Sequence, residues 1–403
     1  MGLMKILQIN VFNSTLSTGR TTYELSNYLE SKGHISWIGY SRGAAIENGY
    51  QIGNWFDRKV HAFMSRLIGK QGYFSKIATA KLVDFIKSFA PDVVHLRNLH
   101  SNYINIPQLL NFLATNDIPT VITLHDCWFY TGKCMYYTSA KCYKWKVQCG
   151  KCPQLKKDNR SWFFDFSAKM LNDKKLFFER IPRLAVVGVS DWITEESRQS
   201  ILKSAKILKR IYNWIDLERF KPVNTEEEKH NLGVDNKFII LGVASDWSER
   251  KGLSYFFEIG KKIDNDSIII LIGRINKKIS LPKNILNIPA THNIDELVCF
   301  YSMADVFLNC SLEETFGKVT AEALACGTPV ITNDSTANPE LVDENCGFIY
   351  QDFDDIPNHI EEVRQNGKKY FTKTCVEFAR KTFDARKLMV EYEHLYEDLI
   401  SYS

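Results

Sequence analysis

The chain has 403 residues, 45% of them apolar and 24% charged, a length for two or three globular domains and a composition able to bury large cores. No apolar run approaches the ~18 residues of a spanning helix, and the N-terminal Met-Gly-Leu-Met-Lys-Ile-Leu-Gln-Ile-Asn turns polar too soon for a signal peptide. The net charge of +4 hides an asymmetry: residues 1–190 carry 25 Lys/Arg against 12 Asp/Glu, and the remainder 26 against 35. A basic first half suits an anionic surface such as a membrane leaflet or a lipid diphosphate, and on charge alone nucleic acid as well; chance distribution over solvated faces is the plain alternative.

Taken in order, residues 5–10 read as a strand and 21–32 as a helix with Leu25, Tyr28 and Leu29 on one side, ended at Gly33-His34. Residues 35–40 form a second strand and 78–89 a helix with Leu82, Phe85 and Ile86 on one face. Asp92-Val-Val-His95 and Thr120-Val-Ile-Thr-Leu124 are short apolar strands followed by polar residues, the pattern of parallel strands feeding a functional edge. Residues 184–189 are another strand, with Ser190-Asp191 placed to cap the next helix. A second series of strands falls at 238–243, 267–273, 305–309, 329–332 and 347–350, and the last helix carries Leu388, Tyr392, Leu395, Tyr396 and Leu399 on one face. Two βα series imply an α/β protein with two doubly wound, Rossmann-like sheets.

The most informative segment is Glu314-Thr-Phe-Gly-Lys-Val-Thr-Ala-Glu322, followed by Ala-Leu-Ala-Cys-Gly-Thr-Pro-Val-Ile. Gly317 can open a helix, leaving the amides of Phe316, Gly317 and Lys318 as orphan donors suited to a diphosphate. Glu314 in the loop can accept from sugar hydroxyls and Glu322 from ribose hydroxyls, an arrangement that suits a nucleotide-sugar. An acidic loop before an amphipathic helix is the bland alternative. Gly242-Val-Ala-Ser-Asp-Trp-Ser-Glu-Arg-Lys-Gly252 follows a strand, and Arg250 and Lys251 there can neutralise a leaving diphosphate without metal.

The Glu-x7-Glu segment resembles that of retaining glycosyltransferases of the two-Rossmann-domain type, family 4. The resemblance runs in order through a Gly-containing loop (Asn13 to Arg20, with Gly19), a strand-end histidine (Thr123-Leu-His-Asp126), the linker Ile211-Tyr-Asn-Trp-Ile-Asp-Leu-Glu-Arg-Phe-Lys-Pro222 and Arg250-Lys251-Gly252. Trp214 stands where the family linker usually has Gly, and Ala244-Ser245 where a second Arg is frequent. The resemblance implies an acceptor-side domain over 1–210, a linker over 211–222, a donor-binding domain over 223–384 that faces the first across a cleft, and a crossover helix over 385–403 packing back on the first domain. It implies that His125, Glu314, Lys251 and Arg250 serve catalysis, that Phe316, Gly317, Lys318, Glu322 and Gly19 bind the donor, and that His95, Arg97 and His100 lie on the acceptor side.

Ten cysteines with no export signal imply a reduced, cytosolic chain rather than disulfides. Cys134, Cys142, Cys149 and Cys152 offer four thiolates, one pair in Cys-x2-Cys spacing, among five lysines. A structural zinc site organising an insertion over 127–152 is one reading, and unligated thiols the other. The segment resembles an insertion in family-4 enzymes of surface polysaccharide assembly, such as colanic acid synthesis. Trp162-Phe-Phe-Asp-Phe166, followed by Lys169, Lys174 and Lys175, reads as core, with a membrane-surface helix as the alternative.

The expectation is a cytoplasmic, retaining hexosyltransferase, peripheral on the inner leaflet. It takes a nucleoside diphosphate sugar to a polyprenyl-diphosphate-linked glycan, with no nucleic acid as partner. No catalytic metal is expected, because Asp264-Asn-Asp266 lies before a strand rather than after one. A nucleotide-sugar epimerase and a zinc-stabilised nucleic-acid-binding module are the other readings.

Overall fold

A computed structural model describes residues 2–291 and 293–402, which divide into two compact units. The first holds Met1–Ile211 with Met389–Ser403, and the second Tyr212–Leu388.

The first unit is a seven-stranded parallel sheet in the order β3-β2-β1-β4-β5-β6-β7. Its strands are β1 (Lys5–Phe12), β2 (Ile35–Arg42), β3 (Gly49–Gln51), β4 (Val93–Leu96), β5 (Thr120–Leu124), β6 (Leu184–Gly188) and β7 (Ile207–Arg210). Consecutive residues on a strand point to opposite faces, and Ile6 and Leu7 are both fully buried, so both faces of the sheet are covered. The last helix, Ala385–Ser401, supplies Tyr392, Tyr396 and Glu393 to this unit. His95 sits in β4 between Tyr396 Oη and Thr123 Oγ1, each at 2.7 Å. His34 Nε2 pairs with Glu393 at 3.1 Å.

The second unit is a six-stranded parallel sheet in the order β10-β9-β8-β11-β12-β13. Its strands are β8 (Phe238–Asp246), β9 (Ser267–Arg274), β10 (Ile285–Ile288), β11 (Val306–Asn309), β12 (Val330–Asn333) and β13 (Gly347–Tyr350). Trp214, 1% exposed, is a core residue of this unit, and the adjacent Ile215 bridges to Asp384.

Each sheet grows outward from its first strand and then resumes on that strand's other side. The crevices at β1/β4 and β8/β11 are therefore switch points, where flanking loops splay apart and open-sheet α/β proteins bind ligands. The short edge strands β3, β7 and β10 were not foreseen from sequence, because half-exposed runs of three or four residues carry too little apolar pattern.

Candidate active site

In the second unit the β8/β11 crevice gathers the residues singled out by sequence. Beyond β8 the chain makes a tight 3-10 turn, Glu249–Lys251, before the helix Leu253–Lys262. Gly252 joins them at φ +73°, and any Cβ there would collide with the carbonyl of Cys310, just past β11. The turn and the loop after β11 are thus pressed together. Leu312 N–H donates to Arg250 O at 2.9 Å and Arg250 Nη1 to Glu313 O at 3.2 Å, while the Lys251 ammonium donates to the Glu314 carboxylate. The backbone of Glu314 is pinned by Thr336 Oγ1 on its N–H (2.9 Å) and by Ala337 N–H on its carbonyl (3.3 Å). Burial alone would raise the Glu314 carboxyl, but the Lys251 ammonium beside it, with Arg250 further off, holds it below the usual carboxylate range.

Gly317, at φ +94°, caps the helix Lys318–Ala325 without any side-chain cap. The buried ring of Phe316 packs on Tyr212 (5.9 Å) and Phe383 (5.6 Å), which fixes the turn from below. The amides of residues 316–318 therefore stand at the positive end of a rigid helix beside Lys251 and Glu314. Glu322 lies deeper, 5% exposed, with Tyr301 Oη donating to its Oε2 at 2.9 Å.

An amide network supports the loop. Asn309 Nδ2 donates to Thr320 Oγ1 (3.0 Å) and Asn338 Oδ1 (3.2 Å), and Asn338 Nδ2 donates to Ser311 O (2.9 Å) and Asn333 Oδ1 (2.7 Å). Asn309, Asn333, Asn338 and Thr336 belong to no motif expected from the sequence. The available signal was an Asn ending each of two neighbouring strands, β11 and β12.

In the first unit, His125 stands half-buried just past β5, with Arg97 Nη1 at 3.4 Å from its Nε2. Arg97 also donates to Thr21 Oγ1 at 3.2 Å, so it ties the first helix to the strand end. His100 Nε2 pairs with Asp126 Oδ2 at 2.8 Å. Burial would lower the His100 imidazole, but the Asp126 carboxylate outweighs it and holds it above its ordinary value. Two expectations change. His95 is fully buried with both ring nitrogens engaged and belongs to the core rather than the acceptor side. Gly19 is not in a loop: the first helix runs Leu16–Ser31, and a Cβ at Gly19 would lie 2.9 Å from Phe12 Cβ, so this glycine serves helix–strand packing.

The cysteine segment has an aromatic core, with Trp145 packing on Tyr130 (4.9 Å) and Tyr137 (5.2 Å). Cys134, Cys142, Cys149 and Cys152 are free thiols lining one small cavity, and no three His, Cys, Asp or Glu side chains among the described residues are arranged to hold a metal ion as they stand.

The aromatic stretch after it is also revised. Phe163 and Phe164 are exposed, not core, and Trp162 meets Phe63 edge-on at 5.7 Å. The helix Trp55–Ile68 exposes Trp55, Phe56 and Phe63, of which Phe63 meets Trp162; Lys59 lies over the Trp55 ring and Lys70 over Phe166. Lys174, by contrast, is buried, donating to Trp128 O at 2.5 Å, and Lys169 is engaged with Asp173 at 2.8 Å. No helix among the described residues is long and apolar enough to cross a membrane.

Residues 18–219 match Glycosyltransferase Family 4, and residues 236–366 match Glycosyl transferases group 1. The chain belongs to glycosyltransferase family 4, and its two parallel α/β sheets are those of the GT-B fold. It is 22% identical over 334 residues to the putative colanic acid biosynthesis glycosyl transferase WcaC of Escherichia coli K12, covering 78% of each. It is 25% identical over 342 residues to alpha-monoglucosyldiacylglycerol synthase of Acholeplasma laidlawii, covering 79% of this chain and 80% of that one. Of three further curated relatives it spans 54% to 60% of the length. Among solved structures, Anabaena Alr3699/HepE in complex with UDP and glucose shares the fold at a TM-score of 0.68 and 16% identity, covering 98% of this chain and 100% of that one.

Proposed function

We propose that this glycosyltransferase is a retaining hexosyltransferase that moves a sugar from a nucleoside diphosphate to a lipid-linked glycan in the assembly of a bacterial surface polysaccharide. The observation that carries the reading is the β8/β11 crevice, where two cations, a helix N-terminus and a buried carboxylate converge. A donor diphosphate seated on the amides of 316–318 would draw the Lys251 ammonium partly away from Glu314. That exchange leaves Glu314 free to accept from a hydroxyl of the sugar, while Glu322 accepts from the ribose. The acceptor hydroxyl attacks the anomeric carbon from the face the diphosphate leaves: one C–O bond breaks to the phosphate, one forms to the acceptor, and a departing phosphate oxygen takes the proton. Lys251, Arg250 and the amides bear the charge that builds on the diphosphate, a fixed electrostatic role usually among the largest in catalysis. In the first unit, His125 is assigned to the reacting sugar, with Arg97 holding its ring, and His100 to the acceptor.

The acceptor class and a peripheral position on the inner leaflet of the cytoplasmic membrane are part of the proposal. They are supported by the likeness to WcaC and to a diacylglycerol-glucosylating enzyme, and by the aromatic patch of Trp55, Phe56, Phe63, Phe163 and Phe164 with its basic rim. Trp and Phe beside Lys suit the headgroup region of an anionic bilayer.

The test is transfer from a panel of nucleoside diphosphate sugars, UDP-glucose first, to lipid-linked acceptors, with the anomeric configuration of the product read by NMR. An α-linked donor should give an α-linked product. An inverted linkage would overturn the retaining mechanism, and an altered free nucleotide-sugar without acceptor would favour the epimerase reading.

A further inference from the structure

Two buried lysines in the first unit lack the counter-charge that burial demands. Lys133 is 2% exposed and Lys174 4% exposed. Each donates to a single backbone carbonyl: Lys133 Nζ to Leu155 O at 3.1 Å and Lys174 Nζ to Trp128 O at 2.5 Å. Among the described residues neither has a carboxylate at ion-pair distance. The nearest acidic groups are engaged elsewhere: Asp126 with His100, Asp158 with Met135 N–H (2.6 Å), and Asp165 with the amides of Cys152 (2.7 Å) and Ser167 (2.9 Å). Lys174 also lies over the Trp128 ring at 4.1 Å, and Lys133 lines one small cavity with four thiols. Lys133 has Cys134 and Cys152 as its foremost electrostatic partners, and Lys174 has Cys149 and Cys134.

Those thiols, with Cys142, line one cavity of ≈ 20 Å³. That volume holds one sphere of about water size and no organic ligand. The chain turns tightly beside this cavity. Gly150 and Lys151, between Cys149 and Cys152, both have positive φ (140° and 44°), and Gly132 passes so close that a Cβ on it would lie 3.1 Å from Cys149 Sγ.

Four neutral thiols offer no counter-charge to two lysines whose burial disfavours the ammonium form. A divalent cation bound by four thiolates carries a net charge of two minus, which balances the pair. We propose that Cys134, Cys142, Cys149 and Cys152 bind one zinc ion in a closed structural site, with Lys133 and Lys174 as its buried counter-ions. Binding expels four thiol protons and turns the side chains inward onto a cavity whose walls the backbone already provides. The site is separate from the β8/β11 crevice in composition and takes no part in the transfer reaction.

Elemental analysis of untagged, full-length protein, purified without chelator, should find one zinc per chain. A thiol reagent under native conditions should leave these four cysteines protected until the metal is displaced. Cobalt exchanged for zinc should give the intense sulfur-to-metal charge-transfer bands of a tetrathiolate. Cys142→Ser should lower retained metal at least tenfold, while Cys299→Ser in the other unit leaves it unchanged. Metal-free protein whose four thiols react freely would overturn the proposal, as would a mass deficit of two or four hydrogens marking disulfides. Should Cys142→Ser fail to fold, the thiol protection and cobalt spectrum of the unaltered protein decide the matter.

Discussion

Lys251 and Glu314, 63 residues apart in sequence, form a largely buried ion pair at the switch point of the second sheet. They meet because Gly252 lets the turn after β8 lie directly on the loop after β11. A buried pair of this kind is costly to break from one side. Lys251→Met should lower stability by about 3 kcal/mol, since it strands a carboxylate, whereas Lys251→Met with Glu314→Gln should recover much of that loss. Urea denaturation of the single and double variants checks this.

The same pair predicts a pH dependence. The folded Glu314 carboxyl is held below its ordinary value, so its contribution is fully present above the unfolded value of about 4.3 and fades as pH falls through the lower, folded one. The stability advantage of the wild type over Glu314→Gln should hold at neutral pH and shrink toward zero in strong acid. A gap that widened on acidification would contradict the lowered carboxyl.

Gly252→Ala tests the close approach. The left-handed backbone costs about 1–3 kcal/mol for a residue with a Cβ, and the collision with Cys310 adds to it. Donor affinity should fall with stability, because the same contact positions Lys251. An alanine variant that bound donor normally would show that the turn can move without cost.

Glu322 and Tyr301 separate a donor contact from a structural one. Glu322→Gln should weaken nucleotide binding through the ribose, by about 1–2 kcal/mol, while Tyr301→Phe should cost a similar amount of stability with little change in affinity. Equal effects of both changes on binding would make Glu322 a packing residue.

For the membrane patch, vesicle sedimentation should need anionic lipid and weaken as salt rises. Lys59→Glu and Lys70→Glu should each reduce binding by at least about 1 kcal/mol, near fivefold, and Phe163→Ser with Phe164→Ser should abolish it. Equal binding to neutral vesicles would remove electrostatics from the account. Reversing Lys174 tests nothing here, because that side chain is buried.

Much of this was legible in the sequence where pattern and chemistry coincide. Long apolar runs marked β1, β8 and β9, and β13 falls at the residues expected of it. The Phe-Gly turn announced a helix, and Gly317 caps it. The misses have physical causes. His95 looked like a strand-end ligand, but only tertiary packing could reveal Tyr396, 301 residues away, against its ring. Gly19 looked like a loop glycine because the helix starts at Leu16, whose positive φ no propensity foretells. Apolar content read Phe163 and Phe164 as core, since composition does not say which face a neighbour covers. The Asn309–Asn338–Asn333 network was missed because its one local mark is an Asn ending each of β11 and β12, and Asn338 joins them only through the fold.

In the proposed mechanism Lys251, beside Glu314 and the Gly317 helix end, holds the donor diphosphate. Calorimetric titration of wild type and Lys251→Met with a nucleoside diphosphate, and with the matching nucleoside, isolates this contact. Loss of one charge-assisted contact predicts at least a tenfold weaker diphosphate complex in the variant, with nucleoside binding unchanged. Diphosphate binding as tight in Lys251→Met as in wild type would contradict the account.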